Sequence, residues 1–177
     1  MSKKVLVISS SPRRNGNSEM LADSFITGAA AAGHEVEKVT LAGKTINFCT
    51  ACYACHNGKC CYNDDAPGII SKMLSADVIV LATPVYFYTM CAQLKALIDR
   101  SVMVYPKITN KDFYYLMTMA ETDEKMFVGT IEALRGFAAC CPDSREKGII
   151  AVPGVYEAGA IKDNPALAQA ENMGSNI

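Results

Sequence analysis

The sequence predicts an α/β domain in which one parallel β-sheet is covered by helices on both faces, a doubly wound arrangement. Two observations support this fold class: short apolar runs alternate along the chain with segments of helical periodicity, and the joints between them are short. The chain has 177 residues, of which 50% are hydrophobic and 20% charged. That is enough apolar side chain for one core, so we expect a single domain over residues 1–177 with five strands.

The first strand and helix carry the clearest patterns. Lys4–Ile8 is a run of Val, Leu and Ile, which is typical of a parallel strand buried on both faces. A polar loop, Ser9–Asn15, separates it from Ser18–Ala32, where apolar residues recur at helical spacing up to the stop signal at Gly33. A second strand, Glu35–Leu41, follows.

The remaining elements alternate in the same way. The predicted helices cover Pro67–Leu74, Cys91–Met103, Glu124–Ala139 and a closing segment from Asn164-Pro165 to Gly174. The predicted strands are Asp77–Ala82, Phe113–Met119 and Ile149–Val152. Residues 45–65 have no clear periodicity, so the sequence predicts a cysteine-rich insertion between the second and third strands.

Charge and hydropathy exclude several functional classes. The 17 Lys and Arg and 18 Asp and Glu give a net charge of −1, which lacks the basic surface of a typical nucleic-acid-binding protein. No apolar run approaches the roughly 20 residues of a membrane helix. The run after Lys3-Lys4 is too short for a signal peptide. We therefore expect a cytoplasmic protein with no nucleic-acid or membrane partner.

The loop after the first strand has the composition of an anion site. It is rich in serine and arginine and leads into a helix, so hydroxyl and backbone N–H groups converge where the helix dipole favours negative charge. In such sheets ligands bind beyond the carboxyl ends of the strands. The loop therefore predicts a phosphate site, with an ordinary serine-rich turn and helix cap as the alternative.

Three consecutive aromatic residues, Tyr86, Phe87 and Tyr88, follow the third predicted strand. Exposed aromatic rings are costly unless they cover something flat and apolar. Packing or a subunit interface is the alternative explanation. Together with a phosphate loop at a neighbouring strand end, the aromatic residues indicate a site for a phosphorylated planar heterocycle, and FMN fits that description.

Three blocks of the sequence resemble the NADPH-dependent FMN reductase-like branch of the flavodoxin superfamily: Ser9–Ser18 with Met20-Leu21, Ala76–Phe87, and Ala92–Arg100. The segment Gly154–Gly159 is similar as well. The resemblance implies a flavodoxin-like fold with strand order 2-1-3-4-5 and bound FMN. It also implies that the bound FMN accepts hydride from NAD(P)H and passes electrons to a flavin, quinone or other small acceptor, in a homodimer or homotetramer.

The resemblance further implies which residues contact FMN. The phosphate would be held by Ser9, Ser11, Arg13, Asn17 and Ser18. The isoalloxazine would be lined by Pro84, Val85, Tyr86 and Phe87. The loop after the fourth strand would close the third side through Thr118, Met119, Ala120 and Glu121. No catalytic side chain is assigned, because the flavin carries the chemistry.

Five of the eight cysteines lie within thirteen residues. In a reducing compartment such clustering indicates metal or redox chemistry rather than a disulfide framework. The candidate ligands Cys49, Cys52, Cys55 and Cys61 have the spacing C-x2-C-x2-C-x5-C, and Cys60 offers an x4 variant. This pattern suits a four-iron four-sulfur cluster, in which each iron takes one thiolate. Tetrahedral zinc and free or redox-active thiols are the alternatives.

The cysteine spacing resembles that of the iron–sulfur flavoproteins, a branch of the same superfamily that carries a four-iron four-sulfur cluster beside FMN. This resemblance implies an alternative function, an electron carrier reduced by ferredoxin. Many flavin reductases that resemble this chain have a similar cysteine-rich segment without a cluster. The sequence therefore leaves both functions open.

Overall fold

The computed structural model describes all 177 residues and contains one six-stranded sheet. In chain order the strands are β1 (Lys4–Ser9), β2 (Glu35–Thr40), β3 (Val78–Tyr86), β4 (Thr89–Met90), β5 (Asp112–Thr118) and β6 (Arg145–Val152). The five parallel strands are arranged β2-β1-β3-β5-β6, and β4 pairs antiparallel with the end of β3. Counted over the parallel strands alone, this is the predicted order 2-1-3-4-5. The two-residue β4 is too short to leave a periodic signal in the sequence.

Five α-helices cover the sheet: α1 (Asn17–Ala31), α2 (Ala66–Ser75), α3 (Ala92–Arg100), α4 (Val128–Ala139) and α5 (Ala166–Ser175). One apolar core lies under α1 and α5, and the other lies under α2, α3 and α4. The backbones of α1 and α5 approach closely, since a Cβ added at Gly28 would lie 1.8 Å from the carbonyl oxygen of Glu171. No helix combines the length and the hydropathy needed to cross a bilayer.

Two strands extend beyond their predicted ends. The third strand continues four residues past Ala82 to Tyr86, because Thr83 and Pro84 stay in register with Met117 and Thr118 of β5. The strand β6 begins at Arg145 rather than Ile149. Its first three residues are charged and exposed, so they show no apolar pattern, although Arg145 and Glu146 pair with the start of β5.

Two of the predicted helices are divided into shorter segments. The predicted helix Cys91–Met103 consists of α3 followed by a 3-10 turn over Ser101–Met103. The predicted helix Glu124–Ala139 starts with a 3-10 turn over Glu124–Phe127, in which the Asp123 side chain accepts a hydrogen bond from the Lys125 amide. These breaks depend on local hydrogen bonding, to which helical periodicity is insensitive.

The cysteine-rich insertion lies between β2 and α2, as predicted. It contains a single 3-10 turn, Ala54–Asn57, and no strand. The carboxylate of Asp64 fastens its two ends together, since one oxygen accepts hydrogen bonds from both the backbone and the side chain of Asn47, each at 2.9 Å. The insertion is therefore anchored to the body of the domain by polar contacts rather than by a core of its own.

Candidate functional site

A cavity of about 130 Å³ opens at the carboxyl edge of the sheet. We call it the strand-edge cavity. Four loops line it, because the carboxyl ends of parallel strands meet at one edge. The lining residues are Ser11, Arg13, Gly16, Asn17, Ser18, Pro84, Val85, Tyr86, Thr118, Met119, Ala120, Val155, Tyr156 and Ala158. The structure therefore brings together every residue predicted from the sequence to contact FMN except Ser9, Phe87 and Glu121.

One end of the strand-edge cavity is rich in unused hydrogen-bond donors. The hydroxyl of Ser18 is buried and has no partner in the protein. The backbone N–H groups of Asn17, Ser18 and Glu19 have no backbone acceptor, since they belong to the first turn of α1. A phosphate supplies only acceptor oxygens, so the chemistry of this end fits a phosphate.

Gly16 leaves room for such an anion. A Cβ at this position would lie 2.7 Å from the Ser11 hydroxyl oxygen and 3.1 Å from the Arg13 carbonyl oxygen. Gly16 is also the N-cap of α1 and offers no side chain to the free amides. A larger residue at position 16 would crowd the loop. The glycine itself is therefore a sequence signal of the site, and it was not used in the prediction.

The loop after β6 closes the phosphate end of the cavity. Arg13 donates a 2.9 Å hydrogen bond to the carbonyl of Tyr156, and its guanidinium lies over the Tyr156 ring, 5.7 Å from the centroid. The side-chain amide of Asn17 is occupied by hydrogen bonds to backbone groups of this loop. Asn17 therefore has its backbone N–H, rather than its amide side chain, to offer an anion.

The sequence analysis assigned no FMN contact to this loop, although Val155, Tyr156 and Ala158 line the cavity. A signal was present in the sequence. The loop follows a strand of the parallel sheet, and glycines bracket it at Gly154 and Gly159, both with positive φ. In the sequence-based prediction, Gly154–Gly159 contributed only to the family resemblance.

The other end of the cavity is apolar. Pro84, Val85 and Tyr86 form its wall at the end of β3. The next residues, Phe87 and Tyr88, make the turn of the β3–β4 hairpin, with φ of 48° and 62°. A two-residue turn with both φ values positive normally has Asn and Gly, so two aromatic residues here are strained.

The hairpin turn rests on the start of α4. The carbonyl oxygen of Tyr88 would be 2.6 Å from a Cβ at Gly129, and it accepts a 3.4 Å hydrogen bond from Thr130. Phe87 is fully exposed and is not among the residues that line the cavity. Its contact with the isoalloxazine stays a prediction.

Ser9 lies beneath the cavity rather than on its wall. It ends β1, is buried, and pairs with Thr40 and Ala82 of the neighbouring strands. The next residue, Ser10, donates a 2.8 Å hydrogen bond to the carbonyl of Ala82, and Cys91 contacts Ser10 at 3.2 Å between sulfur and hydroxyl oxygen. This buried polar layer fixes the start of the phosphate loop relative to β3.

A second cavity, of about 270 Å³, lies in the insertion. We call it the cysteine cavity. All four predicted ligands line it, and so does Cys60; the five thiols are Cys49, Cys52, Cys55, Cys60 and Cys61. No group of three or more His, Cys, Asp or Glu side chains is arranged to bind a metal ion in this structure, and this holds for zinc and for an iron–sulfur cluster alike. The cavity brings the candidate thiols together, and a four-iron four-sulfur cluster takes one thiolate per iron.

The backbone of the cysteine cavity is unusual. Ala51 and Tyr53 have φ of 52° and 57°, which is rare for residues other than glycine. Left-handed residues that alternate with right-handed ones turn backbone N–H groups toward one side, as in the anion-binding concavities of many iron–sulfur sites. The Ala54 N–H donates to Cys52 and, with the Cys61 contact, lowers the pKa of the Cys52 thiol. The same contact with Cys52 raises the pKa of Cys61 to about 11.

A buried ion pair supports the cysteine cavity from behind. The Arg100 guanidinium donates to both carboxylate oxygens of Asp64, at 2.6 and 3.1 Å. Burial raises the pKa of Asp64, but the hydrogen bonds from Arg100 and Asn47 outweigh it and hold the pKa well below its usual range. The ring of Tyr62 covers the guanidinium at 5.1 Å.

Comparison with known proteins gives a family and a fold. A family model described as NADPH-dependent FMN reductase matches residues 3–131. An iron–sulfur flavoprotein of Methanocaldococcus jannaschii is 46% identical over 99 residues, covering 55% of this chain and 51% of the relative. An iron–sulfur flavoprotein of Archaeoglobus fulgidus is 38% identical over 98 residues, covering 55% of this chain and 44% of the relative. The chain thus spans about half the length of these curated relatives.

Among solved structures, an NAD(P)H:quinone oxidoreductase from Methanothermobacter marburgensis superposes with a TM-score of 0.81. The two sequences are 17% identical, and the match covers 99% of this chain and 96% of the other. At this identity the likeness concerns the fold alone. It confirms the predicted flavodoxin-like architecture.

Proposed function

This chain belongs to the NADPH-dependent FMN reductase family, and from that premise we propose that its strand-edge cavity binds FMN and supports electron transfer from NAD(P)H. The observation that carries the proposal is the buried Ser18 hydroxyl, which has no partner in the protein. Leaving a buried hydroxyl unpaired costs free energy. A phosphate oxygen at this point would pair it, together with the free amides of the first turn of α1.

The residues of the cavity then divide into two roles. Ser11, Ser18 and the α1 amides hold the phosphate, with Arg13 adding a charge-assisted hydrogen bond. Pro84, Val85 and Tyr86 hold the isoalloxazine on one side, and residues 118–120 hold it on the other. Backbone groups of these two segments would hydrogen-bond the polar edge of the ring.

When bound, FMN accepts a hydride and can pass the electrons on singly or as a pair. The protein would bind and orient the ring so that the nicotinamide of NAD(P)H can reach it. The acceptor is a flavin, a quinone or another small molecule. No side chain of the cavity is required as an acid or base, so we assign none, and Tyr86 is placed to position the reactants.

We also propose that the chain forms a homodimer or homotetramer in the cytoplasm. The rim of the strand-edge cavity carries exposed aromatic side chains at Phe87, Tyr88 and Tyr156, and a second subunit would shield them from water. Five of the eight cysteines are clustered in the insertion, a pattern typical of metal or redox chemistry in a reducing compartment.

The FMN proposal is tested by titrating the full chain with FMN and then adding NADPH without oxygen. We expect stoichiometric uptake and rapid bleaching of the flavin. Arg13→Gln should weaken FMN binding by about tenfold, in line with the loss of one charge-assisted hydrogen bond. Arg145→Gln is the matched control, because Arg145 is exposed at the opposite edge of the sheet. A chain that takes up no FMN when it is offered in excess would contradict the proposal.

One specific observation favours a second function, that of an iron–sulfur electron carrier. Five thiols line one cavity, whose backbone has positive φ at Ala51 and Tyr53. Both curated relatives described above are named iron–sulfur flavoproteins. In this function Cys49, Cys52, Cys55 and Cys61 ligate a four-iron four-sulfur cluster, with Cys60 as the variant fourth ligand. The cluster would supply one-electron transfer, with ferredoxin as the electron donor.

Anaerobic reconstitution with iron and sulfide separates the two functions. The carrier function requires about four iron atoms per chain for one cluster, and their loss in the triple variant Cys49→Ser, Cys52→Ser, Cys55→Ser. Cys140→Ser is the control, since Cys140 is exposed beyond the end of α4 and outside the cysteine cavity. A wild-type chain that retains no iron but reduces its flavin with NADPH would leave the reductase as the function.

A further inference from the structure

The five thiols of the cysteine cavity do not have equivalent surroundings. The sulfurs of Cys52 and Cys61 are 3.4 Å apart, close enough for one thiol to hydrogen-bond the other. Both residues are exposed. A disulfide bond requires the two sulfurs to approach to about 2 Å, so this pair needs only a small further movement to become covalently linked.

Cys60 is held by a different contact. Its sulfur accepts a 3.2 Å hydrogen bond from Nη2 of Arg100. The guanidinium is itself fixed by both carboxylate oxygens of Asp64, and the two side chains are only 2% and 1% exposed. The Cys60 sulfur is therefore tied to a rigid, buried group, whereas Cys52 and Cys61 face solvent and each other.

The neighbouring thiols Cys60 and Cys61 are poor partners for each other. Adjacent Cα atoms are about 3.8 Å apart, which is shorter than the range of about 4.4 to 6.8 Å in which disulfides form without strain. Cys52 is thus the better-placed partner of Cys61.

We propose that Cys52 and Cys61 form a reversible, peroxide-sensitive disulfide, and that Arg100 keeps Cys60 out of it. One hydrogen peroxide oxidises the two thiols: a first sulfur takes one oxygen and releases water, and the second sulfur displaces that oxygen as a second water. The S–S bond forms as two S–H bonds are lost, and the two electrons go to the peroxide. A small thiol reverses the reaction by thiol–disulfide exchange. This modification goes beyond the proposed function and does not depend on FMN binding.

The sequence allows a direct assignment by peptide mapping. Trypsin cuts after Lys44, Lys59 and Lys72, so Cys49, Cys52 and Cys55 fall in one peptide and Cys60 and Cys61 in the next. The full chain, treated with chelator to remove iron and then with one equivalent of hydrogen peroxide, should give these two peptides joined. Oxidation should consume two of the eight free thiols. Subsequent reduction should make the joined product disappear.

Single variants identify which sulfurs are joined. Cys60→Ser should retain the joined product, whereas Cys52→Ser and Cys61→Ser should each lose it. Cys140→Ser should behave as wild type. The proposal is overturned if the wild type gives no joined peptides, or if the product survives in Cys61→Ser and vanishes in Cys60→Ser.

The variant Arg100→Lys tests the role of Arg100. Lysine keeps the positive charge but cannot donate the paired hydrogen bonds to the two carboxylate oxygens of Asp64. In this variant we expect Cys60 to compete with Cys61, so that Cys61→Ser combined with Arg100→Lys regains a joined product. Absence of that product in a folded double variant would contradict the part assigned to Arg100.

Discussion

The side-chain amide of Asn17 donates a 2.9 Å hydrogen bond to the backbone carbonyl of Glu157, which ties the start of α1 to the loop after β6. The same amide also donates to the carbonyl of Val155 at 3.2 Å, and its oxygen accepts from the N–H of Ile161 at 3.3 Å. One buried side chain therefore satisfies three backbone groups of a loop that is far away in sequence. The phosphate end of the cavity has its shape because of these bonds.

Replacing Asn17 by Ala should loosen this loop. We expect FMN affinity to fall by about tenfold, because the loss of hydrogen bonds worth about 1 kcal/mol each leaves the loop less ordered before binding. FMN titration followed by flavin fluorescence measures the change. Thr27→Ala is the matched control, since it removes an exposed hydrogen bond within the same helix, from Thr27 to Asp23. Equal affinities in the two variants would contradict the role given to Asn17.

Replacing Ser18 by Ala should have opposite effects on the free and the bound protein. The free chain should keep or slightly gain stability, because the variant removes a buried hydroxyl that has no partner. FMN affinity should fall. In contrast, Ser101→Ala should cost about 1 kcal/mol of unfolding free energy, since the buried Ser101 hydroxyl donates to Ile98 at 2.7 Å. Chemical denaturation with and without FMN checks both variants.

Two glycine substitutions should change stability in opposite directions. Gly28→Ala should destabilise the fold by about 2 kcal/mol or more, because its Cβ would lie 1.8 Å from a backbone oxygen of α5 and helices must move apart. Gly136→Ala should stabilise the fold by about 1 kcal/mol, since Gly136 lies within α4, is exposed and has nothing within 4 Å. Urea denaturation of both variants measures this difference, and a similar loss in both would refute the close packing of α1 on α5.

The ion pair of Asp64 and Arg100 should make stability depend on pH. The pKa of Asp64 is lower in the folded chain than in the unfolded one. Its contribution is therefore fully present above the ordinary carboxyl range, near pH 5, and is lost progressively as the pH falls toward the depressed pKa. Removing one partner of such a pair costs about 3–5 kcal/mol.

The test is the unfolding free energy of Asp64→Asn between pH 7 and pH 3. The deficit of the variant relative to wild type should be largest at pH 7 and should shrink toward pH 3. Asp99→Asn is the control, since Asp99 pairs with Lys95 on the exposed face of α3, and it should change stability by less than about 0.5 kcal/mol. A deficit that stays constant with pH would contradict the pKa direction.

The sequence predicted most of the fold and much of the candidate site. Runs such as Val5–Ile8 are buried on both faces, so composition alone identifies them as central strands. Strand ends and helix breaks were less accurate, because β3 and β6 are lengthened by pairing with β5, a non-local interaction. The β3–β4 hairpin was not predicted, since Phe87 and Tyr88 are unlike the Asn and Gly that usually mark such a turn.

By itself, the sequence determined the alternation of strands and helices, the serine-rich loop at the first strand end and the clustering of five cysteines, because each is a local pattern of residue types. Only the tertiary structure decided which donors stay free for a ligand. Asn17 and Ser18 are neighbours in the first turn of α1, yet packing against the loop after β6 occupies the Asn17 side chain and leaves the Ser18 hydroxyl unpaired. In the same way, Arg100 distinguishes Cys60 from Cys61 through a contact across 40 residues of sequence. Hydrogen-bond partners are set by three-dimensional proximity, which spacing along the chain does not specify.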